Sequence, residues 1–312
     1  MVRFKPPRKT ITFKDGIRGL IQFPPDHVDD FILLKQELTP SYNFAATIDD
    51  MTMGITHVIR GGDHVSNTPK QIMLFEAFGK KPPNYAHHSL LVGNDNKPLS
   101  KRHGATRIGE FRAMGILQSA LVNYIGVLGR SVVKEVMDEE ELARTFSLRS
   151  LSGSDSLFGM DKLLWFNKEH IRKAPVEKLL ALTGLSPAYS EKVLLLRENA
   201  RTLVEMKELL AIFEGTEIAD DCRDYLFRTK GYESVVRAVH DALASNEEAT
   251  FEEIFEKSSH ATNVPRKELF MILRILITGR TDGPPLKDTF RLIPRSHILE
   301  RIRCFDQQHS SR

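Results

Sequence analysis

Cysteine is scarce in this chain of 312 residues: there are two, Cys222 and Cys304, far apart and in no Cys-x-x-Cys pair. That argues against a zinc ribbon and for two buried free thiols in a reducing compartment. Charge of one sign is lacking as well, because 44 Lys and Arg stand against 41 Asp and Glu, a net of +3. Composition therefore does not announce a nucleic-acid binder, and any such surface has to be a local basic face. No apolar run approaches the roughly 20 residues that span a bilayer. The basic N-terminal residues lead into no apolar signal-peptide core. The expectation is a cytoplasmic protein without a membrane partner. Repeats and low-complexity tracts are absent, and Trp165 is the only tryptophan. What is present, 41% apolar and 27% charged residues, is the make-up of an ordinary globular protein long enough for two or three domains.

Residues 8–34 read as strands. Thr10-Ile11-Thr12-Phe13 alternates, Lys14-Asp15-Gly16 supplies a turn, Ile17 to Phe23 follows, and Phe31-Ile32-Leu33-Leu34 suits a buried strand. From 39 to 104 the pattern is α/β. Tyr42 to Ile48 predicts a short helix, Thr56 to Arg60 a strand ended by Gly61-Gly62, and His88 to Val92 another strand. Thr68-Pro69-Lys70-Gln71 predicts a helix start, with Thr68 as cap, Pro69 in the first turn and Gln71 completing a capping box; Gly79 stops that helix. From Gly109 onward the chain is mostly helical. Ile116 to Leu128 carries a helical period closed by Gly129, Asp161 caps a helix bearing Leu163, Leu164 and Phe166, and Val235–Leu243 and Glu268–Ile277 are amphipathic.

The segment richest in chemistry is Lys97-Pro98-Leu99-Ser100-Lys101-Arg102-His103-Gly104. A hydroxyl, two adjacent cations and a glycine backbone fit a polyphosphate, whose charge the cations neutralise. Taken alone, such a loop is as often a solvated basic turn. Its neighbours are Thr39-Pro40-Ser41-Tyr42-Asn43-Phe44, Ile59-Arg60-Gly61-Gly62-Asp63-His64 and Thr68-Pro69-Lys70-Gln71. Further on come Leu163-Leu164-Trp165-Phe166-Asn167 with His170-Ile171-Arg172, then Leu273-Arg274-Ile275-Leu276. This order closely resembles bacterial glutamyl-tRNA synthetases, a class I aminoacyl-tRNA synthetase family, over nearly the whole chain. The basic loop resembles the family's KMSKS signature.

The resemblance implies a partial Rossmann fold, the second half of a class I catalytic domain, followed by a mostly α-helical region. It divides the chain into a β-rich remnant of the connective insertion (1–38), the second Rossmann half (39–108), a stem-contact region (109–190) and a helical anticodon-binding domain (191–312). The implied reaction is ATP-dependent activation of glutamate and transfer to tRNA(Glu), with Mg2+ accompanying ATP. Lys101 is the implied catalytic cation. Ser100, Lys101, Arg102, Asp63 and His64 are the implied ATP contacts, although Pro98 departs from a signature that often has Lys there. Tyr42 and Arg60 fall at glutamate-binding positions, and a guanidinium suits bidentate capture of a carboxylate. Without that context, Arg60 reads as a surface salt bridge and Tyr42 as a core ring with a solvated hydroxyl. Asn167 and Arg172 are expected to touch a tRNA stem through phosphates. Arg266, Lys267, Arg274 and Arg280 make a candidate basic surface.

Other polar groups point nowhere in particular. Adjacent carboxylates at Asp49-Asp50 make a poor metal cage, His87-His88 lacks a third ligand at sensible spacing, and no protein-bound metal is expected. Trp165 reads as core. The family also opens with a Rossmann half carrying a HIGH loop that holds ATP, and these 312 residues contain no such loop. The expectation is that the chain alone does not activate glutamate. A separate N-terminal synthetase half is then a candidate partner, and a non-catalytic tRNA-binding module or pseudo-synthetase is the alternative.

Overall fold

Alternation between positions 10 and 34 produces strands where the pattern asks for them. In the computed structural model, which describes residues 1–99, 107–246 and 248–310 (backbone only for 306–310), strand β1 (Val2–Phe4) precedes β2 (Ile11–Asp15), β3 (Gly19–Phe23) and β4 (Phe31–Leu34). β2 and β3 form an antiparallel hairpin with Ile11 opposite Phe23 and Asp15 opposite Gly19. β1 pairs antiparallel with β4. Helix α1 (Tyr42–Thr52) runs a turn longer than its apolar pattern predicts. Strand β5 (His57–Gly61), a 3-10 turn over Gly62–Asn67, helix α2 (Thr68–Ala77) and strand β6 (Asn84–His88) follow. β5 and β6 pair in parallel with Arg60 opposite His87.

Two local expectations fail for physical reasons. Thr68 is not a cap: the chain enters α2 from a 3-10 turn, Asn67 takes the cap position, and no side chain caps it. The Thr68 hydroxyl serves Arg60 and His87 instead. The strand expected from His88 to Val92 is interrupted, because the Leu90 N–H bonds the Asp155 carboxylate at 3.0 Å rather than a ladder carbonyl. The pairing resumes as β7 (Leu91–Val92), parallel to β8 (Ser156–Leu157).

The described chain divides into a unit of residues 1–107 and 122–160 and a unit of residues 108–121 and 161–312. In the first, Ile11, Val28, Ile72, Met73 and Tyr85 form a buried cluster against which Phe4, Phe13, Phe23, Phe31 and Val58 pack. The Gly16 N–H donates to the Tyr85 carbonyl at 2.8 Å, so the hairpin turn docks on β6.

The second unit is helical. Helices α3 (Ile108–Ala113) and α4 (Gln118–Val127) are separated by a turn at Gly115, whose φ of 78° requires glycine. A Cβ there would meet the backbone of Leu203 and Val204. The division between units falls within α4. After α5 (Glu139–Thr145), which belongs to the first unit, come α6 (Met160–Lys173), α7 (Val176–Thr183), α8 (Ser190–Leu196), α9 (Leu203–Leu209), α10 (Ala211–Glu214), α11 (Asp220–Arg228), α12 (Tyr232–Ser245), α13 (Phe251–Ala261), α14 (Arg266–Thr278), α15 (Leu286–Leu292) and α16 (Arg295–Ser310). Asp161 lies inside the first turn of α6, one residue past its start, where an acid favours the helix dipole.

α14 buries Leu269, Ile272, Leu273, Ile275, Leu276 and Ile277 completely. A helix apolar on most sides belongs at the centre of its unit, and each such side chain contributes roughly 1.5–3 kcal/mol. Around its C-terminus the buried Arg301 guanidinium of α16 donates to the carbonyls of Ile277, Gly215 and Ile212. Burial pulls the Arg301 pKa down to about 10. Cys222 is buried, its thiol pushed up to about 11 by burial, whereas Cys304, expected to be buried too, is only half-buried. No helix among the described residues is long and apolar enough to cross a membrane.

Candidate functional site

Parallel strands direct their C-terminal ends toward one edge, where ligands of α/β folds commonly sit. Here those ends are Arg60-Gly61 and His87-His88. The glycines at 61 and 62 let the chain turn at once into the 3-10 segment; a Cβ on Gly62 would collide with the Arg18 guanidinium. That segment carries Asp63 and His64, and it delivers Thr68 to within hydrogen-bond reach of Arg60.

Arg60 is half-buried. Its Nε donates to His87 Nε2 at 3.1 Å, its Nη2 donates to Thr68 Oγ1 at 2.9 Å, and its guanidinium lies over the Tyr85 ring, 5.4 Å from the centroid. No ion pair joins Arg60 to a carboxylate among the described residues. The salt-bridge reading of this residue does not hold. Asp50 on α1 is the acid that acts on it through space: burial pushes the Asp50 carboxyl above its usual range, Arg60 draws it back, and Asp49 adds to the rise.

Tyr42 is exposed rather than core, and its ring lies 5.4 Å from that of His64. His64 is fixed through a ladder of amides. Gln71 donates to Asn43 at 3.4 Å, Asn43 to Asn67 at 3.3 Å, and the Asn67 amide meets His64 Nδ1 at 3.0 Å. Since that amide nitrogen only donates, Nδ1 accepts and Nε2 carries the proton. Nε2 lies 3.7 Å from the exposed Asp63 carboxylate. Tyr42, Arg60, Asp63 and His64 thus gather about one strand end. Ser100, Lys101 and Arg102 lie outside the described residues.

The two residues expected at a tRNA stem belong to the second unit and differ from each other. Asn167 is fully buried. Its Oδ1 accepts from the Leu117 N–H at 2.7 Å, and its Nδ2 donates to the carbonyls of Arg201 at 2.7 Å and Gly115 at 3.2 Å. An amide consumed by three backbone groups in a sealed site is structural, which corrects the phosphate-contact expectation. Arg172 is exposed but doubly paired, with Glu198 at 2.9 Å and Glu169 at 3.1 Å; these hydrogen bonds, Glu198 first, raise its pKa. Trp165 corrects the core reading: it is exposed, with Lys162 Nζ 4.5 Å from its ring. The core takes its neighbours Leu163 and Phe166 on α6 instead.

Residues that patterns in the sequence did not flag complete the first unit's site. Asp15 and His87 are both sealed from solvent, with His87 Nδ1 2.6 Å from Asp15 Oδ2. The Asp15 carboxylate also accepts the N–H groups of Ile17 and Arg18 at 2.9 Å and of His87 at 3.2 Å. Burial alone would raise the Asp15 carboxyl, but hydrogen bonds from Arg18, His87 and Ile17 outweigh it and the net shift is downward. Burial lowers the His87 pKa against the opposing pull of Asp15, with Arg60 and Arg18 adding to the fall. The one available signal was an acid at a hairpin turn, which is ordinary; its partner lies 72 residues away. Among the described residues no cluster of His, Cys, Asp or Glu could hold a metal ion.

In the second unit, Phe251, Phe255, Phe270 and Met271 line a groove of about 750 Å³ whose rim mixes Arg266, Lys267 and Lys287 with Glu252 and Glu256. Its floor is apolar, unlike the polar strand end.

Comparison with known proteins covers nearly the whole chain. The family model described as tRNA synthetases class I (E and Q), catalytic domain, matches residues 1–165, and that of an anticodon binding domain matches residues 159–305. A glutamate–tRNA ligase of Carboxydothermus hydrogenoformans is 36% identical over 96% of this chain and 68% of its own length. One of Natranaerobius thermophilus is 35% identical over 97% and 67%. The crystal structure of a glutamate tRNA ligase from Elizabethkingia meningosepticum in complex with its amino acid superposes with a TM-score of 0.79 at 25% identity, covering 98% of this chain and 68% of that one. This chain therefore spans about two thirds of each relative.

Proposed function

Because the chain belongs to the glutamate–tRNA ligase family of class I tRNA synthetases, we propose that its first unit carries the glutamate pocket and the KMSKS side of the ATP site, and that its helical unit binds tRNA(Glu). The observation that carries this reading is the state of Arg60. Its guanidinium is oriented by two neutral acceptors and paired with no carboxylate among the described residues, at the end of a parallel strand pair. A cation so held is poised for a bidentate carboxylate.

In the reaction, the α-carboxylate of glutamate attacks the α-phosphorus of ATP and pyrophosphate leaves. A hydroxyl at the tRNA 3′ end then attacks the acyl carbon and AMP leaves. Arg60 and Tyr42 hold glutamate. His64 and Asp63 face the nucleotide. Ser100, Lys101 and Arg102 meet the phosphates, with Lys101 countering the charge that builds on pyrophosphate. Mg2+ arrives with ATP as part of that substrate. Arg172 is the remaining candidate at the tRNA stem; Asn167 supports its helix from within. A cytoplasmic setting follows from the family's work in translation.

Residues 1–312 contain no HIGH loop, so by themselves they bind glutamate without activating it. The test is a glutamate titration of the chain followed by NMR, beside Arg60→Gln. Saturable binding that Arg60→Gln abolishes supports the reading. Equal binding by the variant removes Arg60 from the pocket. Salt-sensitive tRNA binding with no glutamate binding would favour the non-catalytic tRNA-binding module.

A further inference from the structure

We propose that Asp15, His87 and Thr68 form a positioning relay for Arg60, built across the hairpin, β6 and the start of α2, that presents the Nη1 edge of its guanidinium to the glutamate carboxylate. The inference rests on the reading of Arg60 as glutamate's partner and adds how that residue is aimed.

A guanidinium only donates, so the 3.1 Å contact from Arg60 Nε requires a bare lone pair on His87 Nε2. The imidazole proton then sits on Nδ1, where Asp15 Oδ2 accepts it at 2.6 Å. Asp15 is in turn held by the N–H groups of Ile17, Arg18 and His87. The tautomer is thus set from the hairpin and passed to β6. Thr68 Oγ1 accepts from Arg60 Nη2 at 2.9 Å and lies 3.0 Å from the same Nε2. Two acceptors consume Nε and one proton of Nη2; Nη1 has no hydrogen bond among the described residues. Asp15, Thr68 and His87 are all buried, so none of them can reach substrate directly. They act through Arg60. Neutral acceptors in contact with Arg60 have a clear advantage: a carboxylate in the place of His87 would orient Arg60 equally well but would compete with the ligand for its charge.

The 312-residue chain, labelled with 15N in histidine and arginine, is titrated with glutamate in four further forms: Arg60→Gln, His87→Asn, His87→Gln and Thr68→Val. The shorter amide of His87→Asn would keep a donor toward Asp15 and lose the acceptor toward Arg60, whereas the longer one of His87→Gln can restore that acceptor. The expected result is a rise in Kd of about tenfold for His87→Asn, partial rescue by His87→Gln to within about threefold, and a rise of about three- to tenfold for Thr68→Val. Long-range 1H–15N correlation of the unsubstituted chain should show His87 protonated on Nδ1 and bare at Nε2. A protonated Nε2 overturns the relay whatever the variants do, including when His87→Asn fails to fold. Wild-type affinity in both His87→Asn and Thr68→Val overturns it while Arg60 stands, provided Arg60→Gln loses binding. If Arg60→Gln binds normally, or the unsubstituted chain does not bind glutamate, the reading of Arg60 falls and the relay with it.

Discussion

Asn167 and His87 are single polar side chains sealed in the interior, and the two differ in what their loss would cost. Replacing Asn167 with Ala strands the Leu117 N–H and the Gly115 carbonyl in a dry site. A loss of about 2–4 kcal/mol is expected, read by denaturant unfolding; a change under about 0.5 kcal/mol would show that the amide is not needed. His87 makes a pH prediction. Its folded pKa is lowered, so the unfolded chain binds the extra proton first. Stability of the first unit is therefore fully present above the ordinary imidazole value near 6.5 and declines as pH falls from there toward the folded value. The charges around the ring are Asp15 from β2, Arg18 from the hairpin turn and Arg60 from β5, and Arg60 in turn draws the Asp50 carboxyl of α1 down. Asp15, also lowered, adds a second decline below its ordinary value of 3.8. In His87→Gln the upper decline should vanish and the lower one remain, as seen by unfolding midpoints across pH; an unchanged upper decline would assign it to another group.

Helix ends show why a short motif is a conditional signal. Thr250-x-x-Glu253 forms a full capping box at α13: the Thr250 hydroxyl takes the Glu253 N–H at 3.3 Å and Glu253 returns to the Thr250 N–H at 2.9 Å. Thr68-x-x-Gln71 has a similar spacing and forms none. Thr250 is extended, with φ −77° and ψ 161°, whereas Thr68 is already helical, with φ −58° and ψ −45°. Thr250→Ala should cost about 1 kcal/mol of helical-unit stability by chemical denaturation. At the other kind of end, Gly279 closes α14 with φ 74°, and a Cβ would meet the Glu217 carbonyl. Gly279→Ala is therefore strained by conformation and by contact, and should cost more than the roughly 1 kcal/mol at which glycine is ordinarily penalised in a helix. Hydrogen exchange would show the damage at α14 and α16, where Arg301 is bound to the same turn.

Whole-molecule behaviour depends on both units. Glutamate-dependent ATP–pyrophosphate exchange should be absent for the chain alone and should appear when a segment carrying a HIGH loop is added in trans. The exchange should then vanish in Lys101→Ala. Exchange by the unsupplemented chain would show that a HIGH loop is dispensable. Binding of tRNA(Glu) should weaken linearly in log affinity against log salt, because phosphate contacts release counterions; a salt-independent affinity would assign binding to something other than a basic face.

The strand pattern before residue 34, strand β5, the helix that follows it and the buried stripe of α14 were legible in the chain because each depends on a local period of two or 3.6 residues, whereas the strand expected over His88–Val92 lies mostly upstream, at Asn84–His88. The family was legible because its motifs are contiguous. Tyr42, Arg60, Asp63 and His64 could be named as a group for that reason, and they meet at one strand end. Asp15 could not be joined to His87, nor His87 to Arg60, because those contacts cross 72 and 27 residues of chain and leave no period behind. Burial decided Asn167 and Trp165 in the same way. Both lie on one helix, two residues apart, and only the packing around α6 turns the amide inward to three backbone groups and leaves the indole in solvent.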